Sequence, residues 1–181
     1  MLGESIRIKA EVEVWNGRTH FRVKHNHFVQ QALIHLINMM TVGGGAITPP
    51  RQWNVYSGRY TLRLGTNTTT PTDASMTTLV NEIATEPNSL SGANENPSLG
   101  VVRIKVTATW LAGTVSGTIG ELGLRWGLFT GLQGFGWNPN SDSGTKNLLS
   151  RLSCADGDFT QFTINTGVPL TIEWRITFTF A

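Results

Sequence analysis

The residues that could do chemistry are few, and each sits in a pattern that points away from it. His25 and His27 flank Asn26, and two imidazoles at i and i+2 could share a metal on one strand face. His35 follows, but no Asp or Glu stands near any of the three, so the ligand set is incomplete and capping or packing is the expected use. Cys154, the only cysteine, is in phase with Leu148 and Leu152 and reads as a small buried strand residue rather than a nucleophile. A single cysteine also excludes an internal disulfide framework and a Cys-based zinc site. Asp156 and Asp158 bracket Gly157, which is turn chemistry before it is a carboxylate pair. A calcium loop would need more oxygen ligands. Gly131, Gly134 and Gly136 lie among aromatics without the strand-to-helix setting of a phosphate loop. No enzyme, cofactor or metal signature emerges.

The aromatic residues carry a different message. Phe129, Phe135 and Trp137 sit in a Gly-rich excursion over residues 127–146. They either fold back over a sheet edge or anchor in a neighbouring subunit, where buried aromatics dominate binding energy. Six Trp in a chain with only 14% charged residues widen that expectation, since ordinary soluble domains carry about 25%. Trp15, Trp53, Tyr56, Phe129, Phe135 and Trp137 are therefore the candidate interface residues, and Trp110 raises the same suspicion. Trp53, Tyr56 and Trp137 could instead form a face that stacks on a host-surface glycan. The net charge of +2, with no Lys/Arg cluster, argues against nucleic acid as a partner. No apolar run of about 18 residues exists to span a membrane. A strand pattern begins at Ile6, so no secretory signal is expected and Asn67-Thr68-Thr69 reads as loop rather than glycosylation site.

The elements that must position these residues are mostly strands. Leu170, Ile172, Trp174, Ile176, Phe178 and Phe180 alternate with Thr171, Glu173, Arg175, Thr177 and Thr179, the signature of a half-buried strand. Ile6, Ile8, Ala10, Val12 and Val14 alternate likewise up to Asn16-Gly17, a strong hairpin signal, and Thr19, Phe21 and Val23 continue beyond it. Residues 1–24 are expected to be a β-hairpin arm, separable from a domain over 25–181, that adds strands to a neighbour's sheet. Val29, Ala32, Leu33, Leu36, Ile37 and Met40 predict an amphipathic helix over 26–40. Met76, Leu79, Val80 and Ile83 predict a second, shorter one over 72–84, capped by Thr72 or Asp73. Asn88–Gly100 reads as a polar loop. Val102 to Trp110, Ile119–Trp126 (bulged at Gly120 or Gly123), Leu148–Cys154 and Phe159–Ile164 read as strands. The fold class expected is mainly β: an antiparallel β-sandwich or jelly-roll-like domain with two short helices and the hairpin arm.

The order of these segments resembles the amino-terminal modules of tail-fibre and tail-collar proteins of tailed bacteriophages. It runs from the expected helix "NHFVQQALIHLINMM" through "LRLGTNTTTPTDASMTTLVNEI", the expected loop "SLSGANENPSLG", "VVRIKVTATW", "GTVSGTIGELGLRWGLF" and "LLSRLS" to "LTIEWRITFTF". The matching positions are Gly65, Thr66, Pro71, Thr72, Asp73, Leu79, Glu82, Gly117, Ile119, Glu121, Gly123, Leu124 and Arg151, and the likeness covers about residues 26–181. Residues 127–146 stand where such modules have a short turn, and the chain stops where a fibre would continue into a shaft. The resemblance thus implies a compact virion subunit of a tail, baseplate or fibre attachment. Capsid decoration or glycan binding on the virion surface are the alternatives. It implies synthesis in a host cytoplasm and residence in the virion, with capsid, neck or tail proteins as partners. A homo-oligomer is expected, with a trimer as one closure, acting without catalysis or cofactor. Glu121 falls among Ile119, Leu122 and Leu124, so a buried carboxylate there needs a backbone or Arg partner, for which Arg151 and Arg125 are candidates.

Overall fold

A computed structural model describes residues 6–17, 19–24, 27–29, 60–85, 87–126 and 148–180. The alternating segments pair into two five-stranded sheets and a short ribbon, with every neighbouring pair antiparallel. The first sheet is built from β1 (Ile6–Asn16), β2 (Thr19–Val23), β6 (Ser89–Ser98), β7 (Val101–Trp110) and β12 (Leu170–Phe180), in the order β2-β1-β12-β7-β6. The second comprises β3 (His27–Phe28), β4 (Tyr60–Gly65), β5 (Glu82–Ile83), β9 (Glu121–Trp126) and β10 (Leu148–Ser153), in the order β3-β10-β9-β4-β5. β8 (Thr118–Ile119) and β11 (Phe162–Thr163) form the ribbon.

One apolar core draws on both sheets. Val12, Val14, Val106, Ala108, Ile172 and Trp174 come from the first; Leu62, Leu64, Leu122, Leu124 and Leu152 come from the second. Trp110 and Trp174 are almost wholly buried in it. Each such ring removes roughly 150–250 Å² from water, about 4–6 kcal/mol of transfer free energy before chain entropy is set against it. Trp110 also donates its indole N–H to the Thr85 carbonyl at 3.1 Å. Its place is therefore the chain's own core, not an interface.

Several expectations need correction. The hairpin forms, but it is not an arm apart from the sheet. β1 lies between β2 and β12, pairs with β12 over eleven residues, and gives Ala10, Val12 and Val14 to the core. The helix expected over 26–40 does not begin as read, because His27–Phe28 is a strand paired with Arg151 and Ser150. Residues 30–40 lie outside the described ones. Residues 72–84 hold no helix: they form turns that end in β5. The apolar spacing there is helical, but the N–H groups of Val80 and Asn81 are spent on the Glu121 carboxylate instead of on carbonyls one turn back. Within Asn88–Gly100, Ser89–Ser98 is strand, not loop; the ladder to β7 overrides the weak strand propensity of its Ser, Gly and Asn residues. Ile119–Trp126 is not one bulged strand: Gly120 separates β8 from β9, which belong to different sheets. Cys154 falls just past β10, half-buried in a single 3-10 turn that Gly157 closes in left-handed conformation (φ 78°).

Candidate functional site

On the outer face of the second sheet a buried ionic centre joins β9, β10 and the loop of residues 66–81. Glu121 opens β9 opposite Ser153, and Arg151 lies opposite Gly123, so the two side chains are diagonal neighbours. Two glycines make room for them. A Cβ on Gly65, which pairs with Glu121, would stand 2.4 Å from the Glu121 side chain. One on Gly123 would stand 2.9 Å from Leu79 and 3.0 Å from Leu148. Arg151 Nε donates to Glu121 Oε2 at 2.9 Å. Its Nη2 lies 2.8 Å from the same oxygen but is too poorly aligned for a second hydrogen bond, so that contact is ionic only. Both side chains are 0% exposed.

Such a pair is tolerable in a core only when its remaining valences are met. The Glu121 carboxylate also accepts from the N–H groups of Val80 (3.2 Å) and Asn81 (2.8 Å). Arg151 Nη1 donates to the Thr70 carbonyl and to Thr72 Oγ1, each at 3.0 Å. Asp156, with Oδ2 3.9 Å from the same Nη1, receives the N–H of Thr72 on both oxygens and its hydroxyl on Oδ2. The loop is thereby held at residues 70, 72, 80 and 81. Its own turns add more: Asn67 Oδ1 accepts from the N–H groups of Thr69 and Thr70, and Asp73 Oδ1 from that of Ser75. The hydrogen bonds from Ser75 hold the Asp73 carboxyl below its usual range. A small cluster of Val29, Leu79 and Leu148, with Met76 against it, seals the side of the centre. Sealed from water, this centre positions backbone and offers no reacting atom a way in.

Arg125, the other guanidinium considered for Glu121, goes to Glu82 instead, at 2.8 Å, with Arg63 approaching the same oxygen at 3.5 Å. Trp15 lies half-buried on the outer face of the first sheet, its ring parallel to His20 across the strand pair at 5.3 Å. The remaining interface candidates, Trp53, Tyr56, Phe129, Phe135 and Trp137, lie outside the described residues. So do His25 and His35, and among the described residues no three of His, Cys, Asp and Glu gather as a metal-binding group. The Cys154 thiol points toward the Thr68 carbonyl (3.7 Å), and burial pushes its pKa up, which keeps it a thiol at neutral pH. Asp158 is engaged as the turn reading expects, accepting from Ser153 N–H at 2.9 Å.

Beside Trp15, the outer face of the first sheet carries a charge ladder. Arg175 reaches Glu11 and Glu13 at 3.1 and 3.0 Å and also contacts Glu173; Arg22 contacts Glu11. Further along, Glu95 takes Lys105 at 2.9 Å and Arg103 at 3.3 Å. Partial burial works against ionisation of Glu11, but Arg22 and Arg175 outweigh it and hold that carboxyl below its ordinary range. The hydrogen bond from Lys105, first among its partners, does the same for Glu95.

No protein-family model, curated protein or solved structure matches this chain. That Glu121 needs a backbone or Arg partner is legible from an apolar strand with one carboxylate in it, with Arg151 and Arg125 both open; the structure chooses Arg151. The backbone donors of Val80 and Asn81 and the part played by Asp156 were not, because no local pattern marks which distant groups a buried charge will recruit.

Proposed function

We propose that this chain is a non-enzymatic structural subunit of a bacteriophage particle, a β-sandwich that works by docking to capsid, neck or tail proteins and to copies of itself. A tail, baseplate or fibre-attachment position is the reading the motif resemblance favours. The observation that carries it is the convergence of the motif positions. Gly65, Thr72, Leu79, Glu121, Gly123 and Arg151 are spread over residues 65–151, yet they meet in one buried centre that fixes a surface loop. A motif whose members interlock in this way describes a shared supporting frame, as expected of a module built to present a fixed surface. Glu121 and Arg151, the most deeply buried charges of that frame, are 0% exposed, which suits a scaffold and leaves them no access to a substrate.

The test is to purify particles of the phage encoding this chain, identify their proteins by mass spectrometry, and locate this one by electron microscopy. The chain is expected at fixed stoichiometry in intact particles, with the 66–81 loop near a subunit contact. Its absence from particles, while it accumulates in infected cells, would refute the assignment.

A further inference from the structure

Asn16-Gly17 is the only Asn-Gly step in the chain, and such a step carries a reaction that needs no catalyst. The backbone nitrogen of the glycine attacks the side-chain amide carbon of the asparagine. Ammonia leaves, and a five-membered succinimide remains. Water then opens that ring at one of its two carbonyls. The product is aspartate or, with the main chain rerouted through the side chain, isoaspartate. Glycine hinders the attack least, because it has no Cβ and its backbone turns freely. The hairpin needs the same glycine for another reason, its left-handed φ of 65° at the turn. The residues that make this turn are thus also those most prone to ring closure.

The fold opposes each step. Asn16 is 2% exposed. Its amide is held at both ends by one distant segment: Nδ2 donates to the Thr163 carbonyl and Oδ1 accepts from the Asn165 N–H, each at 3.1 Å. The carbon between them cannot swing toward Gly17 N unless both bonds break. Gly17 in turn lies against Val168, so close that a Cβ on it would stand 3.0 Å from Val168 Cγ2. Burial also keeps out the water that the second step consumes. The holding segment is anchored by Ile164, which is buried and donates its N–H to the Gly117 carbonyl at 2.9 Å. Ring closure therefore requires residues 163–168 to lift from the hairpin, an opening smaller than the unfolding of both sheets.

We propose that Asn16 is a fold-gated deamidation site: it stays an amide while residues 163–168 sit on the hairpin, and it converts in chains where that contact has opened. The inference goes beyond the assembly reading and does not depend on it. An Asp carboxylate at position 16 still accepts from Asn165 N–H, but it has no hydrogen for the Thr163 carbonyl and brings a charge into a buried place. Isoaspartate lengthens the main chain at the residue that pairs with both Leu170 and Thr19, so β1 loses register on either side there. Chains that have opened are marked, and the marked junction closes poorly.

Trypsin releases residues 10–18 as a peptide in which Asn16 is the only amide side chain, so mass spectrometry of that peptide reads the conversion alone. At mildly alkaline pH the folded chain is expected to convert at least roughly tenfold more slowly than the same chain unfolded in guanidinium. Ile164→Ala leaves Asn16 and Gly17 in place but loosens the segment over them, and should convert faster than the unmodified protein. Should Ile164→Ala fail to fold, the contrast between folded and unfolded unmodified chain decides alone. Asn16→Asp, the first product made directly, should melt at least about 4 °C below the parent. Equal rates in the folded and unfolded chain, or no conversion in the unfolded one, overturn the proposal. So does a folded Ile164→Ala protein that converts no faster, or an Asn16→Asp protein as stable as the parent.

Discussion

Replacing Arg151 with Met isolates the energetics of the buried centre. The substitution keeps roughly the volume of the aliphatic stem but leaves the Glu121 carboxylate, 0% exposed, with two backbone N–H donors and no countercharge. Removing one partner of such a pair costs about 3–5 kcal/mol, because the remaining charge stays desolvated. The hydrogen bonds to the Thr70 carbonyl and Thr72 hydroxyl go with it. For a domain of 150–250 residues each kcal/mol moves Tm by about 2–4 °C, so Arg151→Met should melt about 6–20 °C below the parent. A second substitution separates charge from packing. In Glu121→Gln/Arg151→Met the buried charge is gone while the Gln carbonyl still accepts from Asn81, and about 1–3 kcal/mol should return. Thermal and denaturant unfolding of the parent, both single variants and the double variant give the coupling energy. Hydrogen exchange at Val80 and Asn81 reports whether the loop has lifted. If the double variant is less stable than Arg151→Met, or the single costs simply add, the ionic account of this centre is wrong.

Four further outcomes follow from the same geometry. Gly120→Ala should cost about 1–3 kcal/mol in denaturant unfolding, because its Cβ would stand 2.3 Å from the Asn67 carbonyl oxygen and one of the two backbones must move; unchanged stability would contradict the packing described. Asn16→Ala should cost about 1–3 kcal/mol, since Asn16 is buried and its amide donates to the Thr163 carbonyl and accepts from Asn165 N–H at 3.1 Å each; the chemical-denaturation midpoint checks it. Deleting residues 1–24 should abolish the cooperative transition in circular dichroism, because β1 is an inner strand of its sheet and supplies core residues; a folded, soluble truncation would restore the idea of a separable arm. Finally, Tm should fall as the solution is acidified below about pH 4.5. Glu11 and Glu95 titrate below their usual value when folded, so their contribution is present above it and is lost as pH drops through the lowered folded values; a Tm that holds or rises on acidification would count against the ladder.

The local signals were read well wherever one face of a strand meets the core and the other meets water. The alternation in Ile6–Asn16 and Leu170–Phe180 and the Asn16-Gly17 turn are statements about side-chain direction, and direction is set residue by residue. The same logic found Glu121 out of place in an apolar strand and named Arg151 and Arg125 as its candidate partners. It failed where two distant segments compete for the same backbone groups. The apolar spacing of Met76, Leu79, Val80 and Ile83 fits a helix, but a buried carboxylate some forty residues on captures the N–H groups that a helix would use. Ser89–Ser98 reads as loop by composition and becomes strand because β7 offers it a ladder. The residue order thus determined the strand faces, the hairpin and the need to neutralise Glu121. Only the tertiary structure decided that β1 is an inner strand of its sheet and that Arg151 rather than Arg125 answers Glu121. Pairing across long sequence separations depends on which partners arrive together, and no short-range pattern encodes that.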